Sequence, residues 1–287
     1  MKNRKIISIL VILIGVLSLF SCILGLMNQD NTQTRDFLSI TGETVKIYGS
    51  GLYKNDSLSV VAQGQASDFV TLFLAIPLLF FSLIKALKQS FRGSLLLIGT
   101  LAYFLYTYVS YTFLWTYNNL FIVYVALMSM SLFALILSIQ TIDLNKLPSK
   151  FSNKLPLKLL SAYQFFIAVM IGMLWMGKII TSLLTNTPPI GLEHYTTLVI
   201  QAMDLGFVVP LAFLSGYLLL KKKPYGYLLT SIIVLKGISL LTSITAMILN
   251  MMISGIEVSL IELSIFIVLD ILGGLVLILF LRGIKED

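Results

Sequence analysis

One cysteine, one histidine and 13 acidic residues among 287 leave little material for chemistry. Cys22 has no partner within the chain, so no internal disulfide forms and the redox compartment is not encoded. A single histidine, His194, excludes haem held by two imidazoles of one chain. Beside Glu193 it also lacks the further nitrogen or sulfur ligands that a zinc site needs. HExxH, paired CxxC, acidic DxxxD and a credible Ser–His nucleophile arrangement are all missing. No catalytic residue, metal or cofactor is therefore expected, although membrane enzymes can work with sparse motifs. Charge is scarce as well: 11% of residues are charged against 57% hydrophobic, with a mean hydropathy of +0.95. Such a composition lies far outside that of a soluble domain. There is no phosphate-binding GxxxxGK[ST] loop and no basic patch interleaved with aromatics, so the net charge of +7 does not indicate a nucleic-acid partner.

What is present is a series of long apolar stretches, at about 6–27, 67–87, 94–114, 119–140, 159–185, 196–220, 226–250 and 259–281. Each reaches the roughly 20 residues needed to cross about 30 Å of hydrocarbon. The intervening loops alternate in basic content. Lys2, Arg4 and Lys5, then Lys85, Lys88 and Arg92, then Lys146, Lys150, Lys154 and Lys158, then Lys221 to Lys223, then Arg282 and Lys285 all fall in one set. The other set holds only Arg35, Lys46 and Lys54. Cytoplasmic loops retain Lys and Arg, so the rich set is expected inside, with both termini cytoplasmic. The two faces are called inner and outer below. The fold class expected is an all-helical membrane bundle of eight spans in a single domain, with the lipid bilayer as its surroundings.

Two local features need separate treatment. Leu19-Phe20-Ser21-Cys22 matches a bacterial lipobox, but Ile23 to Met27 continues the apolar run where a lipoprotein turns polar, so an uncleaved first span is the favoured reading. The outer loop, about residues 28–66, opens on the polar run Asn28 to Gln33. Val45, Ile47 and Leu52 alternate around Gly49-Ser50-Gly51, which suggests a small hairpin there, and Ser57 to Gln65 suggests a short interfacial helix. A segment of this size is too small for a robust core of its own; it is expected to cap the outer mouth of the bundle.

The halves 1–150 and 151–287 share a pattern. Gln65-Ala66-Ser67-Asp68 answers to Gln201-Ala202-Met203-Asp204, Pro77 to Pro210, and Gly93-Ser94-Leu95-Leu96 to Gly226-Tyr227-Leu228-Leu229, each Gly-x-Leu-Leu lying 16 residues after its proline. The Asp-to-Pro interval differs by three residues. Either apolar chance or duplication explains this; duplicated four-span units would be parallel copies with a site between them.

The stretches Asp68-Phe-Val-Thr-Leu with Pro77-Leu-Leu, Arg92-Gly-Ser-Leu-Leu-Leu-Ile-Gly-Thr-Leu-Ala-Tyr-Phe-Leu-Tyr-Thr-Tyr, Thr187-Pro-Pro, Gln201-Ala-Met-Asp-Leu-Gly and Gly226-Tyr-Leu-Leu with Lys236-Gly resemble a group of multi-span bacterial membrane proteins to which no activity is assigned. The similarity runs from about Gly51 onward. It implies a bacterial membrane protein and carries over no function; the location expected is the bacterial cytoplasmic membrane.

Charges inside the spans are the informative residues, because each costs roughly 2.5–3.5 kcal/mol near the bilayer centre on insertion scales. Lys178, Asp204, Lys236 and Asp270 stand out. At 1.5 Å per residue, Lys178 and Asp204 lie about 10 and 12 Å below the outer surface, and Lys236 and Asp270 near the midplane. Two ion pairs at matched depth are expected, Lys178–Asp204 and Lys236–Asp270, with Asp204–Lys236 as the alternative. Pairing favours a role in pinning helices; an unpaired lysine favours a site. Gln65, Asp68, Gln201 and Glu262, with Glu257, Glu193 and His194, are placed at the outer mouth, where solvated interface is the ordinary reading. Tyr103, Tyr106 and Tyr111 share one face of the third span. They either line a cavity or, for the deeper two, donate hydroxyl hydrogen bonds across the bundle. Tyr111, Trp115 and Tyr117, with Trp175, suit an outer aromatic belt.

The function expected is that of a transporter-like binder of a small solute or lipid. Its outward-facing polar cavity would be floored by Lys178, Asp204, Lys236 and Asp270 and walled by Tyr103 and Tyr106. The alternatives are an accessory subunit of a membrane complex and a membrane-embedded enzyme acting on lipid or quinone.

Overall fold

The protein is described from a computed structural model covering residues 3–27 and 33–286. Among these residues, eight helices are long and apolar enough to cross a membrane: α1 Arg4–Leu26, α2 Leu58–Leu87, α3 Phe91–Phe113, α4 Phe121–Ile139, α5 Leu157–Thr185, α6 Val199–Leu220, α7 Pro224–Ile253 and α8 Leu260–Arg282. The chain is an all-α membrane bundle. Helices satisfy their backbone polar groups internally, which is what a run of such apolar sequence requires in lipid. Cys22 is buried within α1, whose helix continues past it to Leu26.

The largest boundary difference is at α2. Ser57 caps it by accepting from the Val60 N–H at 3.2 Å, so Ser57 to Gln65 opens the span itself rather than forming a separate interfacial helix. At 1.5 Å per residue a helix of 30 residues reaches about 45 Å, and its first turns stand above the hydrocarbon. The outer loop carries a two-stranded hairpin, β1 Arg35–Leu38 against β2 Thr44–Ile47, with Arg35 opposite Ile47. Its turn lies at Ser39–Glu43, where Ser39 N–H donates to the Glu43 carbonyl and Gly42 takes φ +84°, not at Gly49–Gly51. The latter pair, at φ +87° and +62°, reverses the chain after the hairpin instead. Most of the polar run Asn28 to Gln33 lies outside the described residues.

Spans α2 and α6 share an interruption. Each changes from α to π hydrogen bonding for one turn, at Thr71–Ala75 and at Asp204–Val208, and resumes with proline as the second residue of the next segment, Pro77 and Pro210. A proline inside a helix lacks an N–H and crowds the carbonyl four residues earlier; the wider π turn accommodates that defect. Twelve residues after each proline the chain turns through a left-handed residue, Gln89 (φ 64°) and Lys222 (φ 52°). The following helix then crosses closely at a glycine. A Cβ on Gly93 would collide with the backbone of Lys85 and Ala86, and one on Gly226 with that of Leu218 and Leu219. The repeated Gly-x-Leu-Leu therefore marks a repeated helix crossing.

The halves differ in closure. In the first, α1 packs on α2 and α4, α2 on α3, and α3 on α4, giving a closed four-helix ring around Leu79, Leu97, Leu101, Phe104, Tyr108 and Leu127. In the second, α6 packs on α5 and α7, and α7 on α8, but α5 and α8 barely meet. Between them opens an apolar cleft of about 530 Å³, lined by Phe166 on one side and by Ile261, Ile265, Val268 and Leu272 on the other. Helix α7 joins the halves, lying against both α2 and α3. Its Leu235 fits over Gly99, where a Cβ would collide with it.

Candidate functional site

Neither expected ion pair forms. Asp270 instead accepts from two threonine hydroxyls of α7, Thr242 Oγ1 at 3.1 Å and Thr245 Oγ1 at 2.8 Å. At 100° per residue, Thr242 and Thr245 lie on the side of α7 opposite Lys236. Equal depth put Lys236 and Asp270 together, but helix rotation separates them. Asp204, 7% exposed, is held by two donors: Tyr106 Oη to Oδ1 and Trp175 Nε1 to Oδ2, each at 2.8 Å. Trp175 thus sits within the bundle and not in an outer belt. Lys178, one turn further out on α5, is half-buried; it lies 5.8 Å from the centroid of the Trp175 ring, with Glu193 of the following loop as its nearest charge. A long lysine stem reaches outward more easily than inward, which is why it does not compete for Asp204.

Lys236 is the exception. It is 92% buried, yet among the described residues it makes no ion pair within 4 Å and no hydrogen bond. Its ammonium lies 3.8 Å above the centroid of the Tyr106 ring, a cation–π contact that satisfies none of its three donors. The nearest carboxylate is Asp204, as in the alternative pairing, and both oxygens of that group are already engaged. Lys236, Tyr106, Asp204 and Trp175 draw on α7, α3, α6 and α5, so the cluster lies where the halves meet.

The remaining residues scatter. Tyr103 is buried with its hydroxyl 2.9 Å from Thr71 Oγ1, the first residue of the α2 π turn. This is the cross-bundle hydrogen bond expected of the deeper tyrosines. Asp68 is 2% exposed and fully inside, with Tyr53 Oη at 2.6 Å from Oδ2 and Tyr111 Oη at 2.9 Å from Oδ1. It is not solvated interface, because Tyr53 of the outer loop, Tyr111 of α3 and the α1 backbone at Gly25 enclose the carboxyl. Tyr111 is likewise buried, and only Tyr117 of the expected α3 belt is well exposed. Gln65 and Gln201 are half-buried and Glu262 and Glu257 exposed. The four intramembrane charges do not form one floor.

The outer mouth holds an arrangement that sequence reasoning missed. Tyr195 Oη donates to Asp56 Oδ1 at 3.0 Å, the Thr116 N–H donates to the same oxygen at 2.9 Å, and Ser57 Oγ donates to Glu193. His194 Nε2 lies 3.0 Å from the Asn55 carbonyl, and its ring meets Phe37 edge-on. The α5–α6 loop is thereby latched to the first outer loop. Burial pushes the Asp56 carboxyl up to about 6 against the opposing bonds from Thr116 and Tyr195; it also raises Glu193 and lowers His194. Beside the latch, Trp115, Thr116, His194, Tyr195, Thr197 and Val199 line a cleft of about 270 Å³. The signal in the sequence was the density of hydrogen-bonding residues at Asn55-Asp56-Ser57 and Glu193-His194-Tyr195, which alone does not say that the two segments meet.

Comparison with protein-family profiles, with curated protein sequences and with solved structures finds no match to this chain. Eight apolar spans place it among multi-pass membrane proteins.

Proposed function

We propose that the protein is a transporter-like binder of a small anionic or amphiphilic solute in a bacterial cytoplasmic membrane, with Lys236 as the group that recognises the ligand's anionic end. The observation that carries this reading is the unpartnered ammonium: a buried charge with free donors near the bilayer midplane is costly unless a ligand completes it. Tyr106 supports it from below, while Asp204, oriented by Tyr106 and Trp175, supplies a counter-charge that leaves the lysine donors available. The location between two halves, each with a π turn and a helix proline, suits the rocking or bending of alternating access. Lys178 and Asp270 are peripheral in this reading.

The test is native mass spectrometry of mildly extracted protein beside Lys236→Met. A hydrogen bond to a charged group contributes about 1.5–3 kcal/mol, so the variant should retain a co-purified anion or lipid about 10- to 100-fold less. It should still fold, since an apolar chain of similar length replaces the lysine stem and Asp204 keeps its bonds from Tyr106 and Trp175. Equal retention by the folded variant would refute the reading.

A second reading, an accessory subunit of a membrane complex, is favoured by α5, in which only 6% of the most apolar stretch is buried. Recovery of a protein partner at fixed stoichiometry, with no small ligand in either sample, would select it.

A further inference from the structure

We infer that Asp68 is a proton-binding site: its carboxyl is held as the neutral acid at neutral pH and can release its proton toward the outer face. The group is 2% exposed and has no basic partner among the described residues. Its neighbours are Tyr53 from the outer loop, Tyr108 and Tyr111 from α3, Tyr124 from α4 and the Cys22 thiol from α1, and its Oδ2 rests against the backbone of α1 at Gly25. Lys236, the cation of α7, has Asp204 and not Asp68 as its nearest opposite charge. A carboxylate in this setting would be a buried charge with no counter-ion, which is several kcal/mol unfavourable.

The hydrogen bonds accommodate the neutral form. Tyr111 has one hydroxyl proton but two oxygens in reach, Asp68 Oδ1 at 2.9 Å and the Gly64 carbonyl at 3.1 Å. With Asp68 protonated on Oδ1, the acid donates to Tyr111 and Tyr111 donates to Gly64, while Tyr53 donates to Oδ2 at 2.6 Å. Each donor then has an acceptor. Loss of the proton requires only that the Tyr111 hydroxyl turn from Gly64 to Oδ1. Asp204 offers the contrast. The indole of Trp175 can only donate, and Lys236 lies nearby, so that site, unlike Asp68, has a cationic neighbour. The exit is short, because Trp115 packs on Tyr53 and Tyr111 with ring centroids 4.4 and 4.9 Å away and also lines the outer cleft. Coupling of this proton to an anion at Lys236 rests on the function proposed above; the protonation of Asp68 does not.

Infrared spectroscopy of the full chain in lipid nanodiscs at neutral pH tests the site without any ligand. The expected result is a protonated-carboxyl carbonyl band, sensitive to deuterium exchange, that disappears in Asp68→Asn and persists in Asp204→Asn. The amide keeps the donor and acceptor pattern of the neutral acid, so Asp68→Asn should also melt within a few degrees of the parent. Absence of the band in the parent, its survival in Asp68→Asn, or a large loss of melting temperature in that variant would overturn the inference. So would a band that vanishes when sodium is added to sodium-free protein, which would make the site one for a metal cation.

Discussion

Two halves with the same local devices reach different degrees of closure. Both have an α–π–α span ending in a helix proline, a left-handed turn residue and a glycine crossing. Yet α1 closes on α4 in the first half, whereas α5 stands off from α8 in the second. The difference follows from what lies at the centre. The first half has large buried side chains, Tyr53, Tyr103, Tyr108, Tyr124 and Phe104, with Tyr53 against the backbone at Gly25 and Trp115 against it at Gly64. The second half gathers its large buried side chains, Phe151, Tyr227 and Phe280, at the inner end, and its separate cluster further out is only Ala168, Ala212 and Ile233. Dispersion and close packing hold helices together in lipid, where no hydrophobic effect separates helix from solvent. Beyond that inner end the cluster of small residues includes none from α8, and α5 and α8 are left apart. One half is closed around its core, and the other leaves the cleft between α5 and α8 open.

Glycine substitution should break this contrast most strongly. A side chain at Gly25 would displace the Asp68 carboxyl and the Tyr53 hydroxyl, and Gly25→Leu is expected to lose about 3 kcal/mol or more, enough to abolish a folded detergent extract. At Gly172 on α5 nothing lies within 4 Å of an added Cβ, so Gly172→Leu should change thermal stability by no more than about 0.5 kcal/mol. Similar losses at both positions, read as melting temperature in one detergent, would remove the distinction between closed and open halves.

The latch between the halves gives the next effect. Asp56 titrates at about 6 when the loops are closed against an ordinary value of 3.8. The closed form therefore binds the proton more tightly. Its stabilisation is complete below the ordinary value and is lost as pH rises through about 6, reaching on the order of 3 kcal/mol. His194, lowered by burial, acts in the opposite sense below neutrality, so the comparison must be with Asp56→Asn. The parent should show a steeper increase than the variant in hydrogen-exchange protection of Tyr195 and Thr116 as pH falls from 7 to 5, the variant keeping only the part due to Glu193, which burial raises in the same sense. Matching pH profiles would show that Asp56 does not govern the contact.

Eight spans were legible because length, apolar content and loop charge each report on a single helix and its surroundings. The cluster was not, because it depends on how helices rotate against one another. Lys236 and Asp270 share a depth but face opposite sides of α7, and depth is all that a residue count provides. Trp175 looked like an interfacial tryptophan because its sequence position suits that role, and only the docking of α5 on α6 brings its indole to Asp204. The glycine crossings and π turns were written in the repeated Gln-Ala-x-Asp, Pro and Gly-x-Leu-Leu. What those residues do became clear only once backbone contacts showed why glycine and proline recur at that spacing.

The smallest expected effect lies at the looser edge. Thr245 Oγ1 donates to Asp270 Oδ2 at 2.8 Å and Thr242 Oγ1 to Oδ1 at 3.1 Å, and these bonds are the polar tie between α7 and α8. Interhelical hydrogen bonds in membrane proteins average only about 0.6 kcal/mol, because partners are found in the unfolded reference state too. Thr245→Val keeps the shape and removes one bond, so a loss of about that size is expected, below the effect of either change above. Its more informative readout is local. If α8 is the mobile wall of the cleft, accessibility of a cysteine placed at Ser264 should rise in the Thr245→Val background while one at Phe121 on α4 stays unchanged. Equal change at both positions would mean that the bond stabilises the bundle as a whole, and that the open half is not independently mobile.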